Sequence, residues 1–321
     1  MRAGRARWVE RLGWVIVVFV GGVMLTQVAG WTGFRIVAVI QSVTPYLGVL
    51  LVPVGVIALW TRRLVLATTV VAIGFGGLLL ATPLAVPIDA PDAADGATGL
   101  RIASLNLLYR NDRIGQVADH LDALAPDVIV LSEYTEEHQT ALEQHRLVDA
   151  YPHRVDRTGQ FAGGIAIWSR TPVAVSEHPD TATYSLDLTV DGPDGPTRIV
   201  AMHVPTPLDN FSGWQDDLEI AAEIGRAAVG PMVLIGDLNA SYWHPGFRRL
   251  LDAGFVDAHT ASGRGFSASW PTNRFFPPFV RLDHALTTGG LVATDVDDFE
   301  IPGSDHRGFV VTVAPAAPAT P

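Results

Sequence analysis

Apolar residues follow two different patterns along this chain. Before residue 89 they form three long uncharged runs, about 12–34, 36–60 and 64–88. Each reaches the roughly 20 residues with which a helix crosses a bilayer. The pattern predicts a three-helix transmembrane region over residues 1–88 and a linker over 89–99. Pro45 and Pro53 interrupt the second run, so a kinked helix or a shallow re-entrant hairpin is expected there. Arginines precede the first run as they would in a signal peptide. Two further runs follow it, so it reads as a retained anchor.

Beyond residue 100 the apolar runs are short and end in polar residues. LRIASLNL predicts a strand, and DVIVLSE and MVLIGD predict strands buried on both faces. Arg113–Ala125 sets Ile114, Val117, Leu121 and Leu124 on one helical face, and Pro126 ends it. Thr135–Leu147 predicts a polar surface helix; further helices are expected over 214–228 and 246–252. Strands are expected near 164–169, 183–190 and 197–203, the last two joined by the DGPDG turn at 191–195. A long loop over 257–279 leads to closing strands at 280–287 and 308–313, and the tail 315–321 is low-complexity and expected to be disordered. Strands alternating with helices, together with hairpins, predict an α/β domain over 100–314.

Charge narrows the partners. The chain has a net charge of −11, and all 22 basic residues are arginine. Residues 97–321 hold 15 arginines against 29 carboxylates. An enzyme of duplex DNA presents a basic footprint to the phosphates, so long nucleic acid is disfavoured. Arg2, Arg5, Arg7 and Arg11 precede the first run, and Arg62-Arg63 separates the second from the third. Only Arg35 separates the first two, and acidic IDAPDAADGATG follows the third. The excess of arginine on one side places the N-terminus in the cytoplasm and the C-terminal domain outside. The absence of cysteine is compatible with either side. The uncharged runs offer no ion or proton path and read as a tether in the lipid bilayer.

The candidate chemistry lies where the short runs end. Asn106 closes RIASLN, Glu133 DVIVLSE and His203 RIVAMH; Asp237 and Asn239 stand in IGDLNA, Asp283 in VRLDHA and Asp305-His306 in GSDHRG. Groups so placed are suited to converge on one pocket. Carboxylates, amides and two histidines are what divalent-metal-assisted attack of water on a phosphate ester needs. Asp237 and Asn239 alternate along an extended segment and so face the same way. One segment, Ser269–Phe279, crowds Trp270, Phe275, Phe276 and Phe279 beside the expected pocket. It either packs back on the core or forms a lip at the bilayer interface, where aromatics favour the headgroup level. His244, His259 and His284 are expected to be structural or on the surface.

In order and spacing these motifs resemble the endonuclease/exonuclease/phosphatase superfamily, which includes DNase I-like enzymes, over roughly residues 100–314. The family order is Asn, Glu, a Gly-Gly strand (here Gly163-Gly164-Ile165-Ala166-Ile167), His, GDxN, R-[IL]-D and SDH. The resemblance implies a DNase I-like four-layer α/β/β/α sandwich. It implies Mg2+ or Mn2+ held by Glu133 with Asn106 and Asp305. Asp237 would activate water, Asn239 and His306 would hold the phosphate, and Asp283 would bond the imidazole of His306. His203 would donate to the phosphate or protonate the leaving group. Trp270 is added as a substrate-binding candidate. Leu108 stands where the family often has an acid, which argues against a second metal there. The architecture is similar to membrane-anchored members linked to glycopeptide resistance in actinobacteria. The expected function is hydrolysis of a P–O bond in a membrane-associated phosphate ester or pyrophosphate, outside the cytoplasm. The alternatives are an extracytoplasmic nuclease and an inactive membrane-tethered binding module.

Overall fold

The computed structural model describes residues 2–86 and 91–318, with side chains from Trp8 onward. The expected end of the third run and start of the linker (87–90), and residues 319–321 of the expected tail, lie outside the described residues.

The apolar N-terminus folds into helices α1 (Arg2–Val28), α2 (Arg35–Ser42), α3 (Thr44–Val49), α4 (Leu51–Trp60) and α5 (Leu64–Ala85). Two helices, Trp8–Val28 and Leu64–Ala85, are each long and apolar enough to cross a membrane. The second run is no continuous span. It bends by 67° between Arg35–Ser42 and Thr44–Trp60. The count is therefore two candidate spans, or three if the bent pair is one, with the bend falling in the run where a kink or re-entrant hairpin is expected. The bend has a local cause. Pro45 has no N–H to give the Gln41 carbonyl, and the Thr44 hydroxyl donates to that oxygen instead, at 2.7 Å. Buried polar side chains around the elbow also bond one another. Thr32 Oγ1 donates to Gln41 Oε1 (2.8 Å), Gln41 Nε2 donates to Thr26 Oγ1 (3.0 Å), and Gln27 Nε2 donates to Thr44 Oγ1. Below the elbow, Val17 and Val20 of α1, Val54 and Ala58 of α4, and Leu66 and Val70 of α5 form one apolar cluster.

The remainder carries twelve strands: β1 (Leu100–Asn106), β2 (Val128–Ser132), β3 (His153–Arg157), β4 (Ile165–Ser169), β5 (Val173–Val175), β6 (Ser185–Gly192), β7 (Gly195–Met202), β8 (Met232–Asp237), β9 (Val256–Asp257), β10 (Asp283–Thr288), β11 (Leu291–Glu300) and β12 (Arg307–Pro315). Between them run α6 (Ile114–Leu124), α7 (Glu136–Glu143), α8 (Phe211–Arg226), α9 (Pro245–Asp252) and α10 (Ala258–Ala261). The strands make two six-stranded sheets, ordered β11-β12-β1-β2-β4-β3 and β5-β6-β7-β8-β10-β9. Successive side chains of a strand point to opposite faces, and this divides the apolar residues among three cores. Ile102, Val128 and Val130 meet Leu188, Ile199 and Ile235 between the sheets. Ala103, Leu105 and Ile129 face the other way, onto Ile114, Val117 and Leu121 of α6. Met202 and Leu234 face Trp214 and Leu218 of α8 and Phe247 of α9. Helix, sheet, sheet and helix are the four layers of the expected sandwich.

Four strands escape the sequence pattern, among them the two-residue β9 at the head of the expected loop. β3 and β5 are short, and β11 is an edge strand studded with Asp295, Asp297 and Asp298. Such charges protect an edge from pairing with another chain, and they also hide its alternation. α7 is shorter than expected and packs His138 and Leu142 inward. The last strand runs into the expected tail, and Ala316 bridges to Ala93.

One feature of the topology positions the site. β1 and β2 are parallel, as are β7 and β8, and the C-terminal ends of all four reach the same edge of the sandwich. β10 pairs antiparallel with β8, setting Asp283 opposite Asp237. β12 pairs antiparallel with β1, so residues just before Arg307 return to that same edge.

Candidate active site

Every candidate from the motifs except Asn106, His203 and Asp283 lines a single cleft; Asn106 bonds and His203 approaches its carboxylates, and Asp283 bonds His306. The cleft has a volume of about 430 Å³ and is lined by Glu133, Asp237, Asn239, Trp270, Asp305 and His306, among others. Asn106 is its hub. Its Nδ2 donates to Glu133 Oε1 at 3.0 Å and to Asp237 Oδ2 at 2.9 Å. Its oxygen, expected to face a metal, instead accepts the Leu108 N–H at 3.0 Å. Glu133 Oε2 accepts the Tyr109 N–H at 2.9 Å.

The backbone is bent to aim these groups. Leu108 (φ 61°), Glu133 (φ 57°) and Asn239 (φ 45°) all sit in the left-handed region. Side-chain-bearing residues adopt it at a cost that surrounding structure must offset. Gly164 supplies part of that structure. Its carbonyl accepts the Tyr134 N–H at 3.1 Å. A Cβ there would collide with the Tyr134 carbonyl oxygen. The Gly-Gly motif thus lets β4 press against the bend that carries Glu133.

Asp237, Asp283 and His306 form the buried heart of the site, with one ligand-type atom from each within 4.8 Å of the others. His306 Nδ1 lies 2.8 Å from Asp283 Oδ2, and His306 Nε2 and His203 Nε2 each lie 3.8 Å from Asp237 Oδ2. Burial opposes a charge on His306, but Asp283 and then Asp237 outweigh it and raise its pKa to about 10. Burial would raise Asp283, yet the imidazolium holds it below the usual carboxylate range. Asp237 is raised, by burial first and by Asp283 second. A protonated ring bonded to a carboxylate cannot ligate a metal. The cluster is therefore an ion pair beside a basic carboxylate, and His306 is a fixed cation facing the cleft.

Neighbouring groups tie the site together. Asn239 Nδ2 donates to the Val204 carbonyl at 2.9 Å, and its N–H donates to Asp237 Oδ1 at 2.8 Å. Ser304 Oγ donates to the Asn106 carbonyl at 2.7 Å and accepts the His306 N–H at 3.0 Å. Trp270 Nε1 donates to Asp305 Oδ2 at 3.3 Å. Phe275 is fully exposed, while Phe279 packs edge-on against Tyr46 of α3. His259 and His284 are buried against Asp298 and Asp257, structural as expected.

Sequence reasoning missed three contributors. Asp209 and Leu208 line the cleft from the loop after His203. Asp217 of α8 is buried with one oxygen unpartnered, as is His203 Nδ1, and burial pushes its pKa up to about 6. Ala38, Val39 and Ser42 of α2 wall the cleft, and no motif marks them. Only Arg35 at the head of α2, which reaches the Leu208 carbonyl at 3.3 Å, interrupts the apolar sequence there.

A four-layer sandwich with acids, amides and histidines at one edge defines a class of hydrolytic enzymes. The chain belongs to the Endonuclease/Exonuclease/phosphatase family, whose model matches residues 103–306. Among solved structures it is similar to a D. rerio TDP2 humanized by 14 mutations, with 16% identity, a TM-score of 0.57, and coverage of 67% of this chain and 98% of that one. It is similar to an AP endonuclease from Archaeoglobus fulgidus, with 18% identity, a TM-score of 0.53, and coverage of 66% and 98%. It is similar also to the 3' phosphatase NExo from Neisseria, with 19% identity, a TM-score of 0.51, and coverage of 66% and 98%. At such identities the likeness establishes the fold alone. No curated protein matches the chain.

Proposed function

We propose that this protein is a divalent-metal-dependent phosphohydrolase that cleaves a P–O bond of a membrane-associated phosphate ester or pyrophosphate outside the cytoplasm. One observation carries the reading. The cleft is lined by four carboxylates, Glu133, Asp209, Asp237 and Asp305, and among its described lining residues only His306 is held as a cation. A phosphate would be repelled from such a cleft unless a divalent cation offset the charge. Hard carboxylate oxygens fit Mg2+ or Mn2+. Glu133 and Asp305 are the half-buried acids that would hold it, with Asn106 joining if its amide turned its oxygen inward. Bound there, the metal would offset charge developing on the phosphate oxygens.

The chain's own residues supply the rest. Asp237, basic through burial, accepts a proton from the attacking water. Asn239 and the His306 imidazolium hold phosphate oxygens, and Asp283 keeps His306 charged and oriented. His203, across Asp237, donates to the leaving oxygen.

The helix ends support the proposed location. Gln27, Thr32 and Ala38 contact the α/β domain, whereas Arg63 pairs with Glu10 at 3.2 Å on the far side of the bundle. The excess arginines lie at that far side, which supports a cytoplasmic N-terminus and an outward catalytic domain. The test is phosphate release by detergent-solubilised full-length protein with Mg2+ or Mn2+. Offered substrates would be a polyprenyl pyrophosphate, a phospholipid, sphingomyelin and plasmid DNA, each with a Glu133→Ala control. Metal-dependent turnover of a lipid that the control lacks supports the reading. Plasmid nicking alone would replace it with a nuclease, and silence on all four with a binding module.

A further inference from the structure

A second cavity, of about 330 Å³, lies on the other side of the elbow, and Ser42 and Val280 line both it and the catalytic cleft. Its walls include Pro45, Tyr46 and Val49 of α3, Leu84 of α5, Tyr242 and Trp243 of the loop after β8, and Phe266 and Phe279 of the loop before β10. Pro45 and Val49, four residues apart, share one face of α3. Val49 and Phe266 form an open rim, 64% and 58% exposed, beside the two spans.

The charged groups of this cavity are already paired. His284 holds Asp257 at 3.0 Å and the Ala240 carbonyl at 3.0 Å. Arg281 makes two bonds to Asp298, at 2.7 and 2.8 Å. Most of what remains for a ligand is apolar surface, from Pro45, Val49, Leu84, Phe266, Phe279 and Val280, which suits a group with few hydrogen bonds to make. The catalytic cleft is polarised in the same sense. Beside its acids and His306 it is lined by the apolar Val39, Leu208, Val280 and Leu282.

We infer that the two cavities form one site for a phosphate carried on a hydrocarbon chain. The phosphate sits at Asp237 and His306. The chain crosses between Ser42 and Val280, lies along α3 and leaves for the bilayer past Val49. The broken apolar segment is thus a specificity element: its elbow places Ala38 and Val39 against the cleft and Pro45 and Val49 against the second cavity. This rests on the phosphohydrolase reading for the headgroup, while the chain path stands on the cavities.

Two measurements test it. The first is photolabelling of the full-length protein with a diazirine-bearing hexadecyl phosphate, mapped by mass spectrometry. Labels on residues 42–49 and 266–280, competed by unmodified hexadecyl phosphate, are expected. Labels confined to the lipid-facing sides of α1, α4 and α5 would overturn the chain path. The second compares kcat/KM for hexadecyl and butyl pyrophosphate, and for the matching methyl phosphodiesters. Ser42→Trp, at the junction, and Val49→Trp, at the exposed rim, should each lower the hexadecyl-to-butyl ratio about tenfold or more, the worth of roughly two buried methylenes. An unchanged ratio in both variants would count against the path. Competed labelling without turnover of any phosphate keeps the chain site and removes the hydrolase reading. Turnover with labels elsewhere does the reverse.

Discussion

His244 Nε2 donates to the carbonyl of Ala38 across 2.9 Å, and its Nδ1 accepts the Ser241 N–H at 2.8 Å. The ring is therefore neutral, with both nitrogens used, and it fastens the α/β domain to the broken apolar segment. Ala38 itself is fully buried in the core of α8 and α9.

This contact should weaken in acid. Burial lowers the His244 pKa from 6.5 to about 4. A folded-state pKa below the unfolded value means the unfolded chain takes up the proton first as pH falls. The stability His244 contributes is thus fully present above about pH 6.5 and declines toward pH 4. The Tm of the detergent-solubilised protein should fall between pH 7 and 5. His244→Gln should remove part of that slope and cost about 1–3 kcal/mol at neutral pH. A slope identical to wild type would refute the assignment.

Asp283 sets the charge on His306. The alkaline limb of kcat/KM should lie near pH 10, where the imidazolium is lost. Asp283→Asn removes the largest of the groups raising it, so the limb should move down by at least about one pH unit. A limb that stayed in place would mean another group controls it.

Metal binding should register without turnover. A ligand that binds only the folded state at 100 times its Kd stabilises by about 2.7 kcal/mol. Mg2+ or Mn2+ should raise the Tm of the wild type, and Glu133→Gln should shrink that rise while lowering activity about a hundredfold or more. Equal rises in both proteins would place the metal elsewhere.

Gly164→Ala should act at a distance from the cleft. The new methyl meets the Tyr134 carbonyl oxygen, which separates β4 from the bend at Glu133. A loss of about 1–3 kcal/mol of stability, together with a larger loss of kcat than of Tm would suggest, is expected. A variant with wild-type kcat would show that Glu133 needs no such support.

Much of this protein was legible in the chain. Short apolar runs ending in Asn106, Glu133, Asp237 and Asp305-His306 carried the strands, the family and the site, because a buried strand must be apolar and its end is where polar groups can emerge. The edge strand β11 was not legible, since its aspartates break the alternation that would reveal it. Nor was the direction of the Asn106 amide, which depends on Glu133 and Asp237 arriving from other strands.

Sequence by itself determined the uncharged runs, the arginine asymmetry and the chemistry-bearing motifs, since these follow from composition and spacing. Tertiary structure decided which groups share the cleft, how closely Asp237 approaches His306 and His203, and that α2 turns aside to wall the site. The bend at Thr44-Pro45 is local, but its consequence is not. Only the packing of Ala38 beneath His244 brings an apolar segment, numbered some 200 residues away, to the edge where the catalytic strands end.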